Sequence, residues 1–100
     1  MAIIVVGTVV FPMRNIPLVR EHLLKLSDLS RSDFGCIAYD VAQDIRQSGL
    51  IRFSEIWSDA EALAAHLATS HIAEWRITAG NLGAEGRKFS AFEAEKQWLF

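Results

Sequence analysis

The sequence predicts an α+β fold of the ferredoxin-like type, with elements in the order β-α-β-β-α-β. Three observations predict it. A β-branched segment opens the chain, two helical patterns are separated by two strand-like segments, and another strand-like segment follows the second helical pattern. Such a fold places a four-stranded antiparallel sheet against two helices. At 100 residues the chain has the length of one domain, and we assign 1–100 to it.

The first half of the chain predicts a strand, a helix and a second strand. Residues 2–11 are dominated by valine and isoleucine, which is typical of a strand. Asn15 is a favourable N-cap for a helix whose apolar residues recur at helical spacing as far as Arg31. Gly35 then interrupts the chain before a second strand over 36–42.

The second half predicts two further strands around another helical region. A third strand over 50–57 follows the second after a short turn at Ser48-Gly49, which favours an antiparallel hairpin. The fourth strand is expected over 88–95, beyond the turn signals Gly83 and Gly86.

Between these strands, the helical region has two start signals. Ser58 and Glu61 match a capping box, so we expect the second helix to begin at Asp59. Ser70 can cap a second segment that runs to about Leu82, so a break or kink is expected beside it.

Apolar residues occupy both faces of the predicted sheet. The composition is 51% hydrophobic, and the first strand presents Ile4, Val6 and Val10 on one face and Ile3, Val5, Val9 and Phe11 on the other. A sheet with one solvated face would alternate with polar residues. We therefore expect a homodimer that packs sheet against sheet, with the apolar segment 97–100 crossing to the partner.

Charge and composition disfavour several classes of partner and location. The net charge is −2 without a basic cluster, which argues against nucleic-acid binding. No apolar run approaches the ~20 residues of a membrane-spanning helix, so no membrane partner is expected. The first strand lacks a preceding basic segment and does not read as a signal peptide. The single cysteine, Cys36, then favours a reducing cytoplasm.

Part of the chain resembles a known family. The residues that carry the resemblance are Gly35 before the second strand, Tyr39 within it, the segment 53–57, and Leu63, His66, Ser70 and His71 in the helical region. With these features the chain resembles the antibiotic biosynthesis monooxygenase superfamily of small dimeric α+β barrels. The resemblance implies a cofactor-independent monooxygenase that acts on a small aromatic substrate, such as a quinol, with O₂.

The same resemblance argues against haem degradation. The haem-degrading members carry an asparagine on the first strand, where this chain has Thr8. They also carry a tryptophan on the second helix, at about the position of His66.

Two histidines are the candidate catalytic bases, because the imidazole pKa lies near neutrality. His66 shares a helix face with Leu63 and is expected to point at the sheet. Its structural alternative is a core histidine hydrogen-bonded to Glu55. His71 is expected beside the helix break, at the mouth of a pocket, and its alternative is a half-exposed residue at a helix start.

Glu55 and Tyr39 complete the catalytic candidates. Glu55 lies on one strand face with Phe53 and Trp57, where a buried carboxylate needs a partner. It could orient a histidine, or it could receive an arginine of the partner subunit or backbone amides. Tyr39 could donate a hydrogen bond to a substrate oxygen. Phe53, Trp57 and Trp75 are the candidate substrate-binding residues, with plain core packing as their alternative.

The sequence predicts neither a metal nor a bound cofactor. No glycine-rich phosphate loop is present, and the five-residue separation of His66 and His71 does not place them on one helical face. Besides monooxygenation, a non-catalytic ligand-binding dimer and an isomerase that needs no O₂ remain alternatives, because fold alone does not fix chemistry.

Overall fold

In the computed structural model, which describes all 100 residues, four strands form one antiparallel sheet that packs against three helices. The strands are β1 (Ala2–Val10), β2 (Cys36–Gln43), β3 (Leu50–Trp57) and β4 (Glu85–Ala94). The helices are α1 (Ile16–Arg31), α2 (Ala60–Leu67) and α3 (Ser70–Asn81). The strand order across the sheet is β2-β3-β1-β4. This architecture confirms the predicted ferredoxin-like α+β fold, with the second helix divided in two.

The start of α2 differs from the predicted capping box by one residue. Asp59, and not Ser58, is the N-cap: its backbone is extended and its Oδ1 accepts a hydrogen bond from the Ala62 N–H at 2.8 Å. The backbone N–H of Ser58 donates to the Gly35 carbonyl at 2.8 Å, next to the end of β3. Aspartate and serine are comparably good caps, so the sequence alone did not distinguish the two positions.

The predicted break between the two helical segments is confirmed, but its cap is Thr69 and not Ser70. The Thr69 hydroxyl accepts from the Ile72 N–H and donates to the His66 carbonyl at 2.7 Å. One threonine side chain thus ends α2 and begins α3. Because the chain restarts here, residues on the two helices are not related by one continuous helical period.

α1 begins directly after Asn15, as predicted, but the Asn15 side chain does not cap it. A 3₁₀ turn at Met13–Asn15 precedes the helix, and Asn15 has helical backbone angles with no side-chain capping bond. Its Nδ2 instead donates to the Leu82 carbonyl at 2.8 Å. Asn15 therefore joins the beginning of α1 to the end of α3.

At the other edge of the sheet, β4 is longer than predicted. It begins at Glu85, three residues before the expected start, because these residues extend the ladder as far as Val10 of β1. The register shifts between Thr8 and Val10, which marks a bulge or irregularity in this pairing.

The core lies between the sheet and the helices. Trp57 and Val19 are fully buried, and Phe11 is nearly so. On the opposite face of the sheet, Val6 and Phe92 are 46% and 57% exposed. None of the helices has the length and apolar character needed to cross a membrane.

Candidate active site

A cavity of about 550 Å³ opens between the sheet and the pair α2 and α3. Its volume is within the range of pockets that hold small organic molecules. The walls are largely apolar and include Val5, Val9, Phe53, Leu63, Ile72, Trp75, Ala79 and Phe89. Polar groups reach it at few points: Tyr39, Glu55, His66, Arg76, Arg87 and Ser90. Such a cavity suits a flat apolar molecule that carries a small number of polar atoms.

His66 is the histidine of the cavity wall. It projects from α2, is only 1% exposed, and its ring lies 4.3 Å from the Trp57 ring, measured between centroids. Its Nδ1 is 2.8 Å from Oδ2 of Asp33. No protein group bonds its other nitrogen, Nε2, although that atom is not sealed from the cavity. Since an ionised carboxylate only accepts hydrogen bonds, Asp33 favours the tautomer with the proton on Nδ1.

Asp33 joins the two predicted histidines. The same oxygen, Oδ2, is also 2.8 Å from Nε2 of His71. The sequence reasoning missed Asp33, which lies in the turn between α1 and β2. Its only sequence signal is its place in the polar segment Ser30–Asp33 before Gly35, and such segments are common in loops.

His71 does not lie at the mouth of the main cavity, where it was expected. It lines a separate groove of about 300 Å³ between α1 and α3, together with His22, Lys25 and Trp75. Its ring is 14% exposed. Asp33 therefore stands between a histidine that faces the cavity and a histidine that faces the outer groove.

The environment of His66 keeps its imidazole neutral. Burial lowers its pKa below the usual value of 6.5, because the charged form loses its hydration. The Asp33 carboxylate opposes this shift, whereas the neighbouring His71 and the positive charge of Arg76 add to it. A neutral imidazole with a free Nε2 can accept a proton from a ligand in the cavity.

Glu55 has a different partner from the one predicted. Its Oε1 accepts a hydrogen bond from Nε1 of Trp57 at 2.9 Å, so the expected pair with His66 does not form. The two residues alternate on β3, which places both side chains on the helix-facing side of the sheet. Glu55 is only 4% exposed, and burial raises the pKa of its carboxyl. Trp57 orients Glu55 and His66, and does not itself line the cavity.

The remaining predicted residues lie in the cavity wall. Phe53, Trp75 and Tyr39 all line it, and the Tyr39 ring is 5.5 Å from the His66 ring between centroids. Burial, followed by the charge of Glu55, raises the pKa of the Tyr39 phenol, which therefore stays protonated. A protonated phenol can donate to a substrate oxygen.

Asp33, His66 and His71 also form a compact set of potential metal ligands. Their ligand atoms lie within 4.8 Å of one another, although the sequence spacing had predicted separate positions. The helix break explains the difference, since each histidine comes from its own helix. In the present geometry the Asp33 oxygen fills the space between the two nitrogens at hydrogen-bond distances. A zinc ion bound at about 2.0–2.2 Å would require this carboxylate to move aside.

A known protein family matches most of this chain. The family model described as antibiotic biosynthesis monooxygenase matches residues 3–77, which include His66, Asp33 and His71. The chain belongs to this family. Among curated proteins, no sequence matches this chain.

Solved structures share the fold of this chain. A candidate antibiotic biosynthesis monooxygenase from Deinococcus radiodurans superposes with a TM-score of 0.94 at 24% identity, over 98% of this chain and 97% of the other. A conserved protein of unknown function from Bacteroides thetaiotaomicron, described as a possible oxidoreductase, is 31% identical. It has a TM-score of 0.85 over 93% of this chain and 97% of its own.

The pKa of His66 predicts a pH dependence of the stability of this family member. Because the His66 pKa is lower in the folded chain than in the unfolded chain, the unfolded chain binds a proton at this position at about pH 6.5 more readily than the folded chain does. The free energy of unfolding should therefore fall as the pH is lowered from 7 through the usual value of 6.5 for histidine, towards the lower folded pKa.

Urea unfolding of the wild type and of His66→Gln as a function of pH checks this. The variant should lose part of the decline, whereas His22→Gln, which alters an exposed histidine of α1, should keep it. An unchanged pH profile in His66→Gln would contradict the neutral state assigned to His66. The comparison is between variants because Glu55, with its raised pKa, contributes in the opposite direction at lower pH.

Proposed function

We propose that this protein is a cofactor-independent monooxygenase that uses O₂ to oxidise a small aromatic substrate of the quinol or phenol type. The observation that carries the proposal is the His66 imidazole: its Nδ1 is bound to Asp33, its Nε2 has no protein partner, and the residue lines a largely apolar cavity. Family membership supports the same class of reaction.

The first step is removal of a proton from the substrate. Nε2 of His66 accepts it from a phenol or from an activated ring carbon, and Asp33 stabilises the resulting imidazolium through Nδ1. The electron-rich anion then passes an electron to O₂, and the two radicals combine to form a carbon–peroxide bond. The imidazolium of His66 returns its proton to the peroxide, and at an activated CH₂ group loss of water then leaves a carbonyl. One oxygen atom enters the product, the other leaves as water, and the substrate supplies all the electrons.

Other residues in and near the cavity assist the reaction by hydrogen bonding, by excluding water or by positioning Asp33. The protonated Tyr39 phenol is available as a hydrogen-bond donor to an oxyanion of the substrate. The apolar wall formed by Phe53, Trp75 and their neighbours limits the water that could intercept the peroxide. His71 is a positioning residue, because it bonds Asp33 and lies outside the cavity.

The test is oxygen uptake by the chelator-treated protein with a panel of hydroquinones and anthrones, above the autoxidation background. We expect His66→Ala to reduce kcat/KM by roughly 10²–10⁴-fold, as for the loss of a general base. Asp33→Asn should also lower kcat strongly, because an amide can favour the wrong tautomer of His66.

His22→Gln is the matched control and should keep the wild-type rate. Full turnover by His66→Ala would remove the proposed base. If an isomer formed from a substrate without oxygen uptake, the isomerase reading would replace this one.

We also propose that the protein functions as a homodimer that packs sheet against sheet. Val6 and Phe92 are exposed on the uncovered sheet face, and the terminal residues Trp98, Leu99 and Phe100 are at least 75% exposed. A second copy of the chain would remove this apolar surface from water. A cytoplasmic location remains the expectation from the single cysteine.

Sedimentation velocity at micromolar protein concentration tests the dimer. Val6→Lys should shift the protein towards monomer by burying an unpaired charge in the interface, and deletion of 97–100 should weaken association. Leu24→Lys is the control, because Leu24 is also exposed but lies on α1. A dimer that withstands both changes would rule out this interface and the role of the tail.

A further inference from the structure

We propose that the mouth of the cavity binds the carboxylate of an anionic aromatic ligand between Arg76 and Arg87. Such a ligand would be the substrate of the proposed monooxygenase, so its role in catalysis rests on the proposed function. Binding itself does not depend on turnover, so the two can be tested separately.

The first argument is the placement of two cations at one cavity. Arg76 comes from α3 and Arg87 from β4, on two different walls, and both line the same space as His66. The rest of the wall is mostly apolar, so the positive charge of the wall is concentrated at these two side chains. Arginine is suited to this role because its planar guanidinium binds a carboxylate through two parallel hydrogen bonds.

The second argument is that neither guanidinium is committed to a carboxylate of the protein. Arg31 and Arg52 form ion pairs with Asp40 and Asp44. Arg76 and Arg87 form none, although both are exposed and acidic residues outnumber basic ones in this chain. Because no carboxylate of the protein pairs with these two arginines, an anionic ligand in the cavity can pair with them.

The third argument is that Arg87 is held in place. Its Cζ lies 4.4 Å from the centroid of the Phe89 ring, which is a cation–π distance. Phe89 in turn packs against Phe53, with ring centroids 5.1 Å apart. A guanidinium carries five N–H donors, so the contact with one ring leaves donors free for a ligand.

The carboxylates near the cavity do not cancel this charge. Asp33 is engaged by both histidines and is not part of the cavity wall. Glu55 is the one acidic residue of the cavity wall; its Oε1 is held by Trp57, it forms no ion pair with either arginine, and the two cations outnumber it. The charges of the wall therefore favour an anion, and the apolar surface beside them favours an aromatic ring.

Isothermal titration calorimetry with the full chain tests the inference, using 2-naphthoate as the anion and 2-naphthamide as its neutral match. We expect the wild type to bind the acid more tightly than the amide. In Arg76→Gln and in Arg87→Gln the ratio of the two dissociation constants should fall about tenfold, as for the loss of one charge-assisted hydrogen bond. Arg46→Gln, an exposed unpaired arginine of the β2–β3 turn, should keep both constants.

A second measurement needs no variant. Raising the NaCl concentration from about 0.03 M to about 0.3 M should weaken binding of the acid more than binding of the amide, because salt screens exposed charges. Equal affinity for acid and amide in the wild type, or a ratio that the arginine changes leave intact, would overturn the inference. Arginine-dependent binding of naphthoate without oxygen uptake from any quinol would uphold this site and reject the proposed oxygenation.

Discussion

One carboxylate oxygen, Oδ2 of Asp33, accepts hydrogen bonds from His66 and His71 at 2.8 Å each and so joins three segments of the chain. The turn after α1 supplies the acceptor, and α2 and α3 supply one imidazole each. Hydrogen bonds to a charged group are among the stronger ones in proteins, at about 1.5–3 kcal/mol each. The arrangement fixes how α2 and α3 meet at their break, and it fixes which nitrogen of His66 faces the cavity. Both the packing above the sheet and the proposed chemistry depend on this contact.

The sheet provides the other half of the site through its two-residue period. Tyr39 of β2 is paired with Glu55 of β3, and Glu55 is in turn opposite Val5 of β1. Alternation then brings Phe53 and Trp57 to the same side as Glu55. Trp57 bonds Glu55 through its indole N–H and stacks on His66. A buried carboxyl and a buried imidazole are thus each held by their own partner, so they do not pair with each other and both remain directed at one cavity.

Those features of the fold that depend on short-range periodicity could be predicted from the sequence. The bounds of β3, the end of α1 and the break before α3 follow from alternation, helical spacing and cap residues. The caps of α2 and α3 were each misplaced by one position, because Asp59 and Thr69 are as suitable as their serine neighbours. The candidate site was recovered in part, since His66, Tyr39, Glu55, Phe53 and Trp75 line the cavity. Asp33, Arg76 and Arg87 were missed, because single charged residues in a turn, on a helix and on an edge strand look like ordinary surface positions. Their meeting at one cavity is a product of tertiary structure.

The central claim is that burial keeps His66 a neutral imidazole, while its hydrogen bond to Asp33 holds the proton on Nδ1 and leaves Nε2 free. Nitrogen-15 NMR of the histidine-labelled protein at pH 7 tests it directly, because the long-range couplings within the ring distinguish the two tautomers from the imidazolium. Assignment by comparison with His66→Gln separates its signals from those of His22 and His71. We expect a protonated Nδ1 and an unprotonated Nε2 for His66. A proton on Nε2, whether in the other tautomer or in the imidazolium, would contradict it.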